Sequence, residues 1–352
     1  MDIEEMGDNY LVFVRLIEAC NLKCKHCLIP ANPKCMTLLD CYNIPDRLVA
    51  HIPIGSQVTI KWHGGEPTLF GAKRLRKVMD ILIADGRYQF RFEMRTNLMR
   101  LDSEWVDIFK TYFEGNIGVS WDFEIRETTN DEDFSSVFFK NLAVLAENGV
   151  TAYLAVTVTK PFLSWYNSHV LDIVDWVSRY KIGGLVFLRL IKTGRAKENW
   201  ENLGVTNKEF SEFVVETHKL QQILSNAKGF DGVYPITEYF DVLKSSTDSG
   251  FKTQGCFSGW CDSNTMLLDE IGVKRGCLTM ELQHVETESD LYKITLEDIK
   301  NARYERTRSC HKCPHKTYCN SGCISASRFD ISGECSGGRI VFDYIKNRID
   351  EK

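Results

Sequence analysis

Six short apolar segments separated by helical patterns fill the first 195 residues, and this alternation constrains the fold more than any other feature of the chain. The segments are "LVFVRLI" (11–17), "VTIKWH" (58–63), "QFRFEM" (89–94), "IGVSW" (117–121), "TAYLAVTVT" (151–159) and "GLVFLRLI" (184–191). The helical patterns are "GAKRLRKVMDILIAD", stopping at Gly86; "EWVDIFKTYF", capped by Asp102 or Ser103; "SSVFFKNLAVLAEN", stopping at Gly149; and "YNSHVLDIVDWVSRY". Strands of this length alternating with helices predict a parallel sheet, either open or curled as a barrel. The unusual sequences "CNLKCKHC", "GGEP", "RTN" and "SWDF" each lie just past the C-terminal end of a strand. That is the face on which the loops of a β/α barrel carry chemistry.

Cysteines divide the chain a second way. Cys20, Cys24, Cys27, Cys35 and Cys41 stand near the start; Cys256, Cys261, Cys277, Cys310, Cys313, Cys319, Cys323 and Cys335 stand near the end, with none between. The acidic start "MDIEEMGDNY" lacks the basic residues and apolar core of a signal peptide. No apolar run approaches the ~20 residues of a membrane span. A cytoplasmic location is therefore expected, and reduced thiols there argue for metal sites rather than disulfides. The net charge of −5 gives no sign of a nucleic-acid or membrane partner. The expected division is 1–200 for the α/β unit, 201–250 for a helical linker and 251–352 for a cysteine-rich unit. "GRAKENWENLG" reads as linker and 207–225 as a helix. After 251 short strands, glycines and cysteines prevail, with little helical periodicity before "VFDYIKNRID".

Thiolates are soft ligands that suit zinc or iron–sulfur clusters. Cys20, Cys24 and Cys27 are three on one loop; Cys35, Cys41 or His26 could complete a zinc tetrad. In "GGEP" two glycines let backbone come close, and Glu66 offers an anionic acceptor to an ammonium group. Asn97, Ser120 and Asp122 are polar residues at strand ends, a common place for them.

C-x-x-x-C-x-x-C after the first strand of a β/α unit resembles the signature of the radical S-adenosylmethionine (SAM) enzymes. The resemblance implies a partial (β/α)6 barrel in which Cys20, Cys24 and Cys27 hold a [4Fe–4S] cluster with one iron open to SAM. One electron would then yield methionine and a 5′-deoxyadenosyl radical. It also implies that Gly64, Gly65 and Glu66 meet the methionine amino group, and that Asn97, Ser120 and Asp122 lie near the nucleoside. Related enzymes often carry an arginine about ten residues past the serine, near the SAM carboxylate. Position 131 is aspartate here, so Arg126 or Arg189 would substitute.

The C-terminal spacings resemble the SPASM domain, an extension of radical SAM enzymes with two auxiliary [4Fe–4S] clusters, making three clusters in all. By its crossed pattern Cys256, Cys261, Cys277 and Cys323 would hold one, and Cys310, Cys313, Cys319 and Cys335 the other. A zinc ribbon built from "CHKCPHKTYC" is the plainer alternative. Closed clusters would carry electrons, and the basic stretch 293–316 could dock a reduced flavodoxin- or ferredoxin-type donor or simply be a solvated face. Cys35 and Cys41 read as small buried hydrophobes.

The function expected from the resemblance is hydrogen abstraction from a peptide or protein, then oxidation by cross-linking or dehydrogenation. Alternatives are a sugar or aminoglycoside dehydrogenase or epimerase, a sulfatase-maturing formylglycine-forming enzyme, and a non-enzymatic multi-cluster electron carrier. Sulfatase-maturing enzymes usually place an aspartate right after the second SPASM cysteine, where Leu278 stands here. A strand beginning near residue 11 leaves no room for a leader-binding domain of about 80 residues, so a separate leader-binding protein or a direct groove is expected for a peptide. Asp269, Glu281, His284 and Tyr318 are candidate proton acceptors that the sequence does not rank.

Overall fold

The structure, a computed structural model, describes residues 9–29, 34–130, 132–245, 256–280 and 288–350. Among the described residues nine strands form one sheet in the order β7-β6-β5-β4-β3-β2-β1-β8-β9. They are β1 (Asn9–Ile17), β2 (Gln57–Gly64), β3 (Gln89–Thr96), β4 (Asn116–Ser120), β5 (Thr151–Val158), β6 (Ile182–Arg189), β7 (Gly232–Tyr234), β8 (Thr265–Leu268) and β9 (Val273–Arg275). Strands β1 to β8 pair in parallel, and only β8–β9 is antiparallel. The six expected strands are present in sequential order. The sheet does not close, because β1 pairs with β8 instead of β6.

Alternation along the strands fixes two faces. Val12, Val14 and Leu16 of β1, Ile60 and Trp62 of β2, and Phe92 and Met94 of β3 are buried against the helices. The intervening positions, Phe13 and Arg15, Lys61 and His63, Glu93 and Arg95, line the inner face. Parallel strands buried on both faces read as continuous apolar runs; here the polar alternates mark an inner face left for something other than packing.

Helix boundaries follow local capping. Helix Ala72–Asp85 ends at Gly86 in the left-handed conformation, and Asp102 caps Ser103–Tyr112 by accepting from the Trp105 N–H. Two expectations change. The helix expected over 166–180 begins earlier, at Lys160, because Thr159 caps it and Pro161 fits its first turn. The region after 251 contains a full helix, Leu296–Arg308, closed by a Thr295/Asp298 capping box.

The stretch expected as a helical linker holds the helix Asn207–Leu224 but also β7, which extends the sheet, and the helix Ile236–Ser245. "GRAKENWENLG" is not a slack linker either. It forms a turn at Gly194–Ala196 and a short helix, Trp200–Leu203, and its Arg195 and Asn199 hydrogen-bond to the first cysteine loop. Among the described residues no helix is long and apolar enough to cross a membrane.

Candidate active site

Three loops from the C-terminal ends of β1, β2 and β4, with a fourth after β6, converge on Cys20, Cys24 and Cys27. The cysteine loop hydrogen-bonds on one side to the chain after β4, Lys23 N–H to Glu127 O (2.7 Å) and Lys25 N–H to Ile125 O (3.0 Å). On the other side Arg195 N–H donates to Cys27 O (2.9 Å) and Asn199 Nδ2 to Lys25 O (3.1 Å). Gly194, at φ +51°, lies where a Cβ would meet Cys27 O at 2.5 Å. A glycine is needed there, which the sequence reading missed because it took the segment for a connector.

"GGEP" does a more local task than expected. Gly65 N–H donates to Ile17 O (2.7 Å) and Glu66 N–H to Ala19 O (3.0 Å), so the turn is stitched to the backbone entering Cys20. A Cβ on Gly64 would lie 2.1 Å from Ile17 O, and one on Gly65 would lie 2.2 Å from Ala19 O and 2.4 Å from Glu18 O. The close approach is to the protein's own carbonyls, which cannot swing aside. Gly65→Ala is therefore expected to cost about 1–3 kcal/mol, the usual range for overpacking, read as a lower thermal midpoint than wild type.

Glu66 is 1% exposed. Its Oε1 accepts from Thr68 N–H (3.0 Å), Thr68 Oγ1 (2.7 Å) and Thr96 Oγ1 (2.7 Å), and its Oε2 from Asn97 N–H (2.7 Å). Burial pushes its pKa up while these donors pull it down. The carboxylate offered to an ammonium in the sequence reading is thus largely taken up in fixing "RTN". Asn97 in turn donates from Nδ2 to Asn21 Oδ1 (2.8 Å) and sits 3.8 Å from Cys20 Sγ.

Ser120 ends β4 half-buried. Asp122 accepts from Thr157 N–H (2.6 Å) and pairs with Arg126 Nη2 (2.6 Å) and His26 Nε2 (3.4 Å). Arg126 is the arginine beside the cysteine loop, and it lowers the pKa of Cys24 and Cys20 against the stronger effect of burial. Two of its nitrogens are committed to Asp122. Arg189 lies elsewhere, bonded to Asn207 Oδ1 (2.7 Å) and stacked over Phe210, within electrostatic reach of Cys256 and Cys323.

Burial lifts the Cys20 thiol to about 11 and Cys24 to about 12. Ligation needs thiolates, so deprotonation is left to an incoming metal centre. All thirteen cysteines are free, and three thiols on one loop fit a soft cluster. Among the described residues no three or more Cys, His, Asp or Glu side chains gather tightly enough for a single metal ion.

The eight C-terminal thiols sort into two groups. After burial as the main cause, Cys323 and Cys277 raise the pKa of Cys256 and Cys261, and Cys323 raises that of Cys277, so these thiols lie within electrostatic reach. Cys310 feels Cys313 and Cys335, and Cys319 feels Cys335 and Cys310. Arginines brace both groups. Arg303 binds Asp262, beside Cys261, and the Gly322 carbonyl, beside Cys323; Arg328 Nη2 donates to Cys310 Sγ (3.1 Å). Part of the basic stretch 293–316 is therefore internal, since Arg303 and His315 are buried. Cys41 is buried, as expected for a small hydrophobe. Asp269 is held by Ile271 and Gly272 N–H and by Tyr292, and Tyr318 stacks on Phe342. Glu281 and His284 lie outside the described residues.

His63, one residue before "GGEP", accepts from Gly64 N–H through Nδ1 (2.8 Å). Burial first, then Arg95, Lys61 and Arg15 facing it, lower its pKa from 6.5 to about 3. The unfolded chain takes this proton first. Stability is therefore full above the unfolded value and is lost as pH falls from about 6.5 toward the folded value, by up to ~1.4 kcal/mol per pH unit. His63→Gln should flatten the fall in thermal midpoint between pH 6.5 and 5.5.

Comparison with known proteins fits this geometry. Residues 14–177 match the Radical SAM superfamily family model. No curated protein matches the sequence. A structure of anSMEcpe with bound AdoMet and Cp18Cys peptide is similar at TM-score 0.74 and 16% identity, over 97% of this chain and 98% of that one. Streptococcus suis SuiB bound to precursor peptide SuiA is similar at TM-score 0.61 and 14% identity, over 91% of this chain and 72% of that one. The strand-end loops and the matched segment agree: residues 14–177 form a domain of the radical SAM superfamily.

Proposed function

We propose that this enzyme acts on a peptide, abstracting a hydrogen and oxidising the product to a cross-link or a dehydrogenated residue, with the electron leaving through two auxiliary [4Fe–4S] clusters. What supports the reading is the electrostatic reach among Cys256, Cys261, Cys277 and Cys323, and of Cys310 and Cys319 to Cys313 and Cys335, all away in sequence from the Cys20–Cys27 loop. When bound at Cys20, Cys24 and Cys27, a [4Fe–4S] cluster supplies the single electron that breaks SAM into methionine and a 5′-deoxyadenosyl radical. The chain's own residues set the stage. Gly64 and Gly65 seat the turn against the cysteine loop, Glu66 fixes Asn97, and Asp122 with Arg126 and His26 forms the polar wall beside Cys24. The fold shared with anSMEcpe and SuiB, whose structures hold peptides, supports a peptide substrate. Leu278 after Cys277 counts against formylglycine formation.

Iron analysis of anaerobically reconstituted protein tests the cluster count, with about 12 irons per chain expected from three four-iron clusters. Mass spectrometry of reactions with SAM, reductant and candidate peptides tests the chemistry. Release of 5′-deoxyadenosine with loss of two hydrogens from a peptide is expected. Iron near four, or no SAM cleavage, would overturn the reading.

A further inference from the structure

Beside the site lies a cleft of about 780 Å³ that shares only Asp122 and Arg126 with the polar wall described above. Its wall is aromatic and its rim acidic. Trp121 packs on Trp165 (5.5 Å between ring centroids) and Trp176 (5.1 Å), Phe123 stacks on Trp165 (5.4 Å), and Phe139 meets Trp176 (4.7 Å). The lining also includes Glu124, Glu132 and Asp172. No ion pair is formed by the carboxylates of these three among the described residues, whereas Glu127 pairs with Lys25 and Asp133 caps a helix. Among the described residues the one cation in the lining, Arg126, is bound to Asp122. An aromatic wall attracts a cation through its ring faces, and uncommitted carboxylates at its mouth attract the same charge.

We propose that this cleft binds a positively charged side chain, lysine or arginine, of a peptide partner. The inference rests on the peptide reading above and narrows it to basic peptides. A purely apolar ligand would leave the acidic rim unmatched, and an anionic one would be repelled by it. The inner end of the cleft is Asp122 and Arg126, within electrostatic reach of Cys24, so a side chain anchored there holds its peptide beside the radical-generating loop.

The test uses reconstituted full-length protein and a lysine-rich decapeptide, with the same peptide carrying norleucine in place of lysine as control. Binding is followed by intrinsic fluorescence, since three tryptophans line the cleft. Saturable binding of the lysine peptide only is expected. The double variant Glu124→Gln/Asp172→Asn, and separately Trp176→Leu, should each weaken it about five- to tenfold, the scale of a lost cation–π or charge contact. Release of 5′-deoxyadenosine without peptide should stay unchanged in the double variant. No saturable binding, equal binding of the norleucine peptide, or unaltered binding by both variants would overturn the proposal. Cleft binding without any SAM cleavage would overturn the enzymatic reading while leaving the cleft; cleavage without cleft binding would do the reverse.

Discussion

Cys24→Ala is expected to abolish 5′-deoxyadenosine release and to lower the iron of the reconstituted protein from about 12 to about eight atoms per chain. Cys24 is the most enclosed of the three loop thiols, 9% exposed and flanked by Arg126 and Asp122. Two remaining thiols cannot hold a four-iron cube, while the C-terminal thiols proposed for the other clusters sit on other elements than the loop. Cys41→Ala is the control. Its thiol is in the core, remote in role from the loop, and iron content should not change. Persistent SAM cleavage in Cys24→Ala would remove Cys24 from the ligand set. Loss of all iron would mean that the proposed clusters do not assemble independently.

The sheet and the strand-end place of the cysteine loop were readable because each depends on local pattern. Strand alternation and the strand-end position of "CNLKCKHC" survive without knowledge of distant contacts. Interactions that span the chain were not readable. Glu66 looked available for a ligand because nothing in "GGEP" reveals that Thr96 and Asn97 will donate to it. Gly194 looked like linker because its partner, Cys27 O, is far away in sequence. The union of β8 with β1 was hidden for the same reason: four residues, "TMLL", carry no sign of which edge they will join. Helix Leu296–Arg308 is different. Its capping box was visible in "TLED", but its mostly polar sequence masked the helical period, and Arg303, its buried anchor, reads as a surface residue.

Arg303 carries the other large expected effect. It is 7% exposed, and its partner Asp262 is 9% exposed. Its Nε donates to Asp262 Oδ2 (2.6 Å), Nη2 to Oδ1 (2.9 Å), and Nη1 to the carbonyls of Asn320 (2.5 Å) and Gly322 (2.6 Å). One planar guanidinium thereby ties the backbone at Cys261 to the backbone at Cys323, two thiols of one group. Lysine cannot reproduce that fork. Arg303→Met leaves a buried carboxylate without its cation, a change that costs about 3–5 kcal/mol. Thermal unfolding should report that loss, and iron should fall by about four atoms per chain, while SAM cleavage at the N-terminal loop continues. Arg303→Met/Asp262→Leu separates the two consequences. Replacing both charges with apolar groups removes the orphaned carboxylate, so stability should return toward wild type. If iron returns as well, packing alone aligns the thiols. If stability recovers and those irons stay lost, the guanidinium is what aligns Cys261 with Cys323, and that second outcome is expected because methionine cannot donate to the carbonyls at 320 and 322.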